Sequence, residues 1–424
     1  MTVCILQIFV GGRWLNAAEV RCDDERGGYR APTAFDYDFD YLDAMADGLG
    51  AIDHRAVSCR YPLGYEGRVE ATWPAFLLDL IPSGAARRHW ERELGLTNTP
   101  ISDWAILVAG GTNPPGNVRV APSESAPISA HPGFARSDVV ARAEHFIEYA
   151  RDQGASITGG SGAGGDAPKF LLREDVHGRW HADGALSDDA TAACFVVKFP
   201  RSARADDRLV LEAEAPYYRL AARLGVRVKG PLVWDHDCLF VPRFDREPHA
   251  EGLRHHGLES LCSLAGVSDF GVSIPKEDLA RALAKFATRP EVELAEFLLR
   301  DVVDVALGNT DNHARNTAIL KTDGGPIELS PLYDFAPMVL DPSGIARVSR
   351  WNAEESGFPR WGRVAETLDG LGLDGTATKR RLRELAAAIA ELPPMMKDEG
   401  VPPRVIDARE GRIARTARSL EEIE

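Results

Sequence analysis

The 424-residue chain contains no uninterrupted apolar run of about 18 residues, so its sequence offers no membrane-spanning helix. Cysteine is sparse and scattered: Cys4, Cys22, Cys59, Cys194, Cys238 and Cys262 include no Cys-x-x-Cys pair. That spacing suggests neither a zinc site nor a disulfide framework, and free thiols in a reducing cytoplasm are the expectation. The N-terminal MTVCILQIFVGGRW lacks a basic flank and a small-residue cleavage site, and it reads as a first strand rather than a signal peptide. Positive charge is short as well, with 49 Lys and Arg against 64 Asp and Glu. The resulting net charge of -15 argues against broad, nonspecific nucleic-acid binding. The glycine-rich stretch of the chain is not followed by Gly-Lys-Ser/Thr, which excludes a Walker-type phosphate loop. What is present in quantity is apolar material, 44% of the residues, enough for a large core and at least two subdomains.

The chemistry concentrates between Gly308 and Pro337. Thr317 to Lys321 is short and apolar, Asp323-Gly324-Gly325 is a turn signal, and Ile327 to Leu332 resumes the alternation, which together predict an antiparallel hairpin. Such pairing sets the start of the first strand beside the end of the second, so Asn316 and Asp334 meet although eighteen positions separate them. Asp311 is expected just above both. A carboxylate and an amide oxygen on adjacent strand ends suit Mg2+, and a further aspartate nearby can orient or deprotonate a hydroxyl. This is the layout of a phosphoryl-transfer site, against which stands the plainer possibility of a polar loop and a turn-capping aspartate.

Along the chain, residues 3–10 and 13–22 predict a hairpin around Gly11-Gly12, and Ala34 to Leu42 alternates aromatic and acidic residues like a half-buried strand. Helices are expected over 85–94 and 103–109. The Pro-, Ser- and Ala-rich 121–135 marks a boundary, leaving a compact first unit whose Trp90, Arg87 and Arg88 are candidates for an exposed docking face. Ser156 to Lys169 holds five glycines before Pro168-Lys169, a stretch that can bring backbone N–H groups close to phosphate or simply be a flexible loop. Ala193 to Pro200 reads as a buried strand whose Lys198 needs an anionic partner, and a helix from about Leu209 supplies Glu212 and Glu214. A strand lysine paired with a helix glutamate is a device of protein kinases. A strand at 238–241 leads into Pro242-Arg243-Phe244-Asp245-Arg246, whose backbone could face an adenine edge. Helices are expected over 257–265, 276–287, 291–307, 379–392 and 404–424, the third striped by Leu294, Leu298, Val302 and Val305. The His255-His256 pair reads as solvated rather than as metal ligands.

The order of these parts resembles the HipA family of serine/threonine kinases, toxins of bacterial toxin-antitoxin modules: a Gly-rich Pro-Lys loop, a strand lysine, a helix glutamate, Arg-Phe-Asp-Arg, Asp-x-His-x-x-Asn and Ser-Pro-Leu-Tyr-Asp. The resemblance covers nearly the whole chain, since AFDYDFDYL and FLLDLIPSG match the N-terminal unit of the family. It implies an α+β, two-lobed atypical protein-kinase-like fold related to phosphoinositide kinases. Its parts would be an N-terminal β-rich subdomain (1–120), a kinase N-lobe (136–245) and a mostly helical C-lobe (246–424). It implies ATP and Mg2+ as cofactors, with Asp311 as catalytic base, His313 inside the catalytic loop, and Asn316 and Asp334 on the metal. Lys198, Lys169, Glu214, Gly164, Gly165 and the backbone of Pro242, Arg243 and Phe244 would bind the nucleotide, and Ser161 is the candidate for regulatory phosphorylation, with Thr158 its rival. The implied partners are a translation-related protein substrate such as an aminoacyl-tRNA synthetase and a small helix-turn-helix antitoxin, with DNA reached only through the antitoxin and no membrane. Two alternatives remain at this point: a catalytically weak nucleotide-binding corepressor partner of such an antitoxin, and a small-molecule or lipid kinase.

Overall fold

The computed structural model describes residues 2–122, 131–142, 144–152, 156–157, 168–250, 252–341 and 343–424. Ser161, Gly164, Gly165 and Thr158 lie outside the described residues. The chain opens with the expected hairpin, Thr2–Val10 against Arg13–Cys22, turned by Gly11 and Gly12 at φ 59° and 77°. Both values lie in the left-handed region that a two-residue hairpin turn demands and glycine adopts without strain. Thr33–Tyr37 and Arg68–Glu70 extend this antiparallel sheet on one side and Val118–Val120 on the other. Leu6, Ile8, Val20, Phe35, Trp73 and Leu107 form its core.

The strand expected to reach Leu42 stops at Tyr37. Asp38 accepts the Tyr41 N–H at 3.0 Å and starts the helix Phe39–Ala44. A carboxylate that caps a helix outweighs the aromatic alternation, and Phe39 is left exposed. Of the residues expected on a docking face, only Arg88 is exposed. Arg87 pairs with Glu91 at 2.9 Å and Asp103 at 2.7 Å, and Trp90 is half-buried against the core of this unit.

A second antiparallel sheet carries Lys169–Asp175 at its centre, flanked by Thr191–Lys198, Cys238–Pro242 and Val233–Asp235 on one side and Ser156–Ile157 on the other, with Trp180–Ala182 also paired to Lys169–Asp175. Its register sets Lys169 directly opposite Lys198. The single helix expected from Leu209 is two, Ala205–Glu212 and Glu214–Arg223, meeting at Ala213. Pro216 explains the break: without an N–H it is at home only in the first turn of a helix.

Gly257–Ser260, expected to be helical, is a strand that pairs with Ala318–Lys321, which in turn pairs with Ile327–Leu329 as the predicted hairpin. Ser260 then accepts the Ser263 N–H and caps the short helix Leu261–Leu264. Four residues satisfied by a neighbouring ladder override their helical pattern, which tertiary pairing regularly does. His255 and His256, expected to be solvated, are buried. The His255 ring stacks on Phe9 at 3.9 Å, and burial drives its pKa down to about 3. Apart from two short strand pairs, Arg246–His249 with Gly252–His255 and Glu354–Glu355 with Phe358–Pro359, the remainder is mainly helical: Lys276–Phe286, Pro290–Leu307, Trp361–Asp369, Gly375–Ala390, Leu392–Asp398 and Pro403–Glu421. The stripe Leu294, Leu298, Val302 and Val305 faces the core of this lobe, as its spacing requires. Among the described residues no helix is long and apolar enough to cross a membrane, and all six cysteines are buried free thiols.

Candidate active site

The helix Pro290–Leu307 is terminated by Gly308, whose φ of 79° lets its N–H reach back to the Asp304 carbonyl at 2.9 Å. The last carbonyls of the helix are satisfied from elsewhere: the Arg409 guanidinium donates to Ala306 at 3.0 Å and Val305 at 3.2 Å, and the Tyr217 hydroxyl donates to Leu307 at 3.0 Å. Asn309 binds Asp304 through its side chain at 2.9 Å. The chain is thereby aimed into the loop 311–316. There the Asn316 N–H donates to the His313 carbonyl at 2.9 Å and its side-chain amide to the Asp311 carbonyl at 2.8 Å, closing the loop on itself.

The hairpin brings Asp334 to this loop. Its backbone has φ 51°, a left-handed conformation that is costly for a non-glycine residue and that turns the carboxylate toward the sheet. Lys169 reaches the two carboxylate oxygens at 3.1 and 2.9 Å, and Lys198 reaches one of them at 2.5 Å. Lys198 also donates to Glu214 at 2.5 Å, so the strand lysine and helix glutamate expected to pair do so. Lys169 is thus the first residue of a strand, with its ammonium already in the site.

Burial sets the electrostatics. It pushes the Asp311 carboxyl up to about 6, and the negative Asp334 nearby adds to the effect. Burial acts on Asp334 in the same sense, but Lys169 and Lys198 overcome it and hold that carboxyl well below the usual range. Burial opposes the charge of Lys198, and Asp334 with Glu214 more than restores it, so this lysine stays an ammonium. His313 is driven down to about 4 by burial. Its Nδ1 accepts the Arg315 N–H at 3.2 Å, and its Nε2 lies 3.5 Å from Asp311: a neutral ring that shapes the loop.

Lys169, Lys198, Glu214, Asp311, Asn316 and Asp334 line one cleft. It continues into an apolar space walled by Leu171, Val196, Val241 and Phe244, the Phe244 ring 5.8 Å from that of Tyr333. Pro242 and Arg243 also line this space, with the Arg243 N–H and guanidinium already engaged. The N–H is donated to the Cys194 carbonyl at 2.9 Å, and the guanidinium is buried against Asp183 and Asp245 at 3.0 and 2.6 Å. The N-terminal unit, free of catalytic motifs in the sequence, supplies the opposite wall through Leu78–Ser83 and Asn113–Pro115. It also supplies Asp79, which pairs with Arg315 of the loop 311–316 at 2.7 Å. The available signal was an aspartate inside the apolar run Phe76-Leu77-Leu78-Asp79-Leu80-Ile81, where an unpartnered carboxylate would be expensive.

The sheet-plus-helix architecture and the cleft between its parts define a two-lobed, kinase-like protein. The model of the HipA-like C-terminal domain matches residues 161–392, and that of the HipA N-terminal domain matches 18–121. The chain belongs to the HipA family. Among its relatives, "Putative kinase Y4mE" of Sinorhizobium fredii is 26% identical over 92% of this chain and 91% of its own length. "Putative kinase Y4dM" of the same organism is 25% identical over 62% of this chain and 61% of its own. The fold matches HipA of Shewanella oneidensis MR-1, solved as a toxin-antitoxin complex with HipB and operator DNA. That match covers 99% of this chain and 100% of the other at a TM-score of 0.69 and 18% identity.

Proposed function

We propose that the protein is an ATP- and Mg2+-dependent serine/threonine protein kinase, the toxin of a toxin-antitoxin pair. The observation that carries the reading is the convergence of Asp311, Asn316, Asp334, Lys198, Lys169 and Glu214, drawn from five separate segments, on one cleft. The donor set fits the cofactors. Two buried ammonium groups opposite each other suit phosphate oxygens, Asn316 and Asp334 are hard oxygen donors of the kind Mg2+ takes, and the apolar wall suits a base. Bound together, nucleotide and metal ion supply the transferable phosphoryl group and neutralise its charge.

The chain's own part is positioning and proton transfer. Glu214 holds Lys198 in line with the cleft, and Lys169 approaches from the neighbouring strand. Asp311, at about 6, is ionised at neutral pH yet basic enough to accept a hydroxyl proton, the compromise that general-base catalysis favours. His313 is buried and neutral and takes the role of loop support rather than base. The family and the HipB-bound relative support an antitoxin partner. The proposed target is a translation-related protein such as an aminoacyl-tRNA synthetase.

Incubation of the purified protein with γ-labelled ATP, Mg2+ and host lysate tests this. Label on phosphoserine or phosphothreonine of a protein, absent with Asp311→Asn, is expected. Label confined to a small metabolite would refute the protein-kinase reading.

A further inference from the structure

The loop 311–316 is tied to Asp79, Cys262, Tyr333 and the Val348–Ser349 segment, and the tie farthest away in sequence, to Asp79, is one the phosphoryl-transfer layout does not require. Asp79, in the short helix Leu77–Leu80 of the N-terminal unit, accepts three hydrogen bonds. They come from Arg315 Nη1 at 2.7 Å, the Ser260 N–H at 2.9 Å and the Ser260 hydroxyl at 2.8 Å. The Arg315 side chain is 8% exposed, and its guanidinium carbon lies 4.9 Å from the centre of the Phe270 ring. At its other end the Arg315 carbonyl accepts the Tyr333 hydroxyl at 2.8 Å. Arg315 immediately precedes Asn316, and Tyr333 immediately precedes Asp334. One residue therefore links both oxygen donors of the candidate site, and its charged end is anchored in the other unit.

The remaining ties between the units avoid the loop. Glu259 accepts from the Ser58 hydroxyl at 2.6 Å and the Cys59 N–H at 2.9 Å, Lys321 donates to the Ala56 carbonyl at 2.8 Å, and Gly116 donates to Asp245 at 2.8 Å. These fasten the interface. Among the described residues, only the Asp79 tie reaches the loop itself.

We propose that Asp79 is a positioning residue for phosphoryl transfer: acting through Arg315, it fixes the catalytic loop and the spacing of Asn316 from Asp334, so that the N-terminal unit is a working part of the catalytic centre. This rests on the kinase reading above. A partly buried charge-assisted bond fixes direction as well as distance, and a misplacement of about 1 Å at a reacting centre costs on the order of 10²-fold in rate.

Asp79→Asn keeps the shape and removes the charge. Expected are a kcat lower by about 30- to 100-fold, a nucleotide KM within about threefold of wild type, and amide exchange over 310–317 faster by about tenfold while the Thr2–Cys22 hairpin is unchanged. Asp79→Asn combined with Arg315→Met should be no worse than the poorer single variant, because both act through one bond. Lys321→Met loosens the same interface away from the loop and should leave kcat and loop exchange at wild-type values. Wild-type kcat or unchanged loop exchange in folded Asp79→Asn overturns the proposal, as does an equal loss with Lys321→Met. If Asp79→Asn does not fold, the exchange of Arg315→Met decides: loop protection equal to wild type overturns the proposal, and selective loss over 310–317 supports it. No transfer by the wild type would instead refute the kinase reading, and the exchange data would then judge the loop tie alone.

Discussion

Asp311→Asn should make the protein more stable while making it inactive. In the folded state the Asp311 carboxyl titrates at about 6, against an ordinary value of 3.8, because burial and the neighbouring Asp334 oppose its charge. A folded-state pKa raised above the unfolded one contributes stability that is complete below 3.8 and is lost as pH climbs through about 6. At about 1.4 kcal/mol for each pH unit, the interval from 3.8 to about 6 amounts to about 3 kcal/mol surrendered by the wild type at pH 8. Asparagine has the same shape and no charge, so the variant does not carry this penalty. With an unfolding entropy of about 2 cal/mol/K per residue, 3 kcal/mol corresponds to a rise in Tm of about 3 °C for a chain of 424 residues. Scanning calorimetry and urea unfolding at pH 8, 6 and 4 measure it. The variant should lead at pH 8, lead by less at pH 6 and converge on the wild type near pH 4, while turnover at pH 8 falls about 10²-fold or more. A lead that does not change with pH, or a variant less stable than wild type at pH 8, would refute the assigned burial of an ionised Asp311.

The turnover of the wild type itself should fall as pH drops below about 6, as Asp311 protonates, and a pH–kcat profile with no limb in that region would remove Asp311 as the base. Lys198→Met removes the charge shared by Asp334 and Glu214, so calorimetric nucleotide affinity should drop about tenfold or more, and an unchanged affinity in a folded variant would mean the ammonium does not meet phosphate. Asp334→Ala leaves Lys169 and Lys198 short of an anion, with an expected loss of about 3–5 kcal/mol and no Mg2+-dependent tightening of ATP binding, whereas His313→Ala should keep that tightening. A fragment covering 131–424 should not fold, because Glu259, Lys321, Asp245 and Arg246 would each lose a buried partner, and a cooperative melt of that fragment would contradict this.

Local rules carried the parts of the molecule that depend on near neighbours. Gly11-Gly12 announced a hairpin, the Leu294-to-Val305 stripe announced a buried helix face, and the turn at Asp323-Gly324-Gly325 placed Asn316 and Asp334 together. The pairing of Lys198 with Glu214 was legible because a buried lysine must find an anion and the next helix offered one. One local signal was outweighed by another: Asp38 ended a strand because a capping bond to Tyr41 was available. The rest of what escaped is what distance decides: Gly257–Ser260 became a strand because Ala318–Lys321 lay beside it, and His255 was buried because Phe9 packed on it. The pair Asp79–Arg315 has no local signature beyond a charge in an apolar run, since its members stand 236 positions apart.

That separation also has a bearing on time. At about 5–20 residues per second, some 10 to 50 s of synthesis pass between the addition of Asp79 to the nascent chain and that of Arg315. Over that interval the first unit has emerged with a carboxylate meant for burial and no guanidinium to receive it, and Ser58 and Cys59 wait almost as long for Glu259. The N-terminal sheet can therefore begin to form early, but its seam is sealed only when the loop 311–316 arrives. Maturation of the first unit and completion of the candidate active site are thereby one late event on the ribosome.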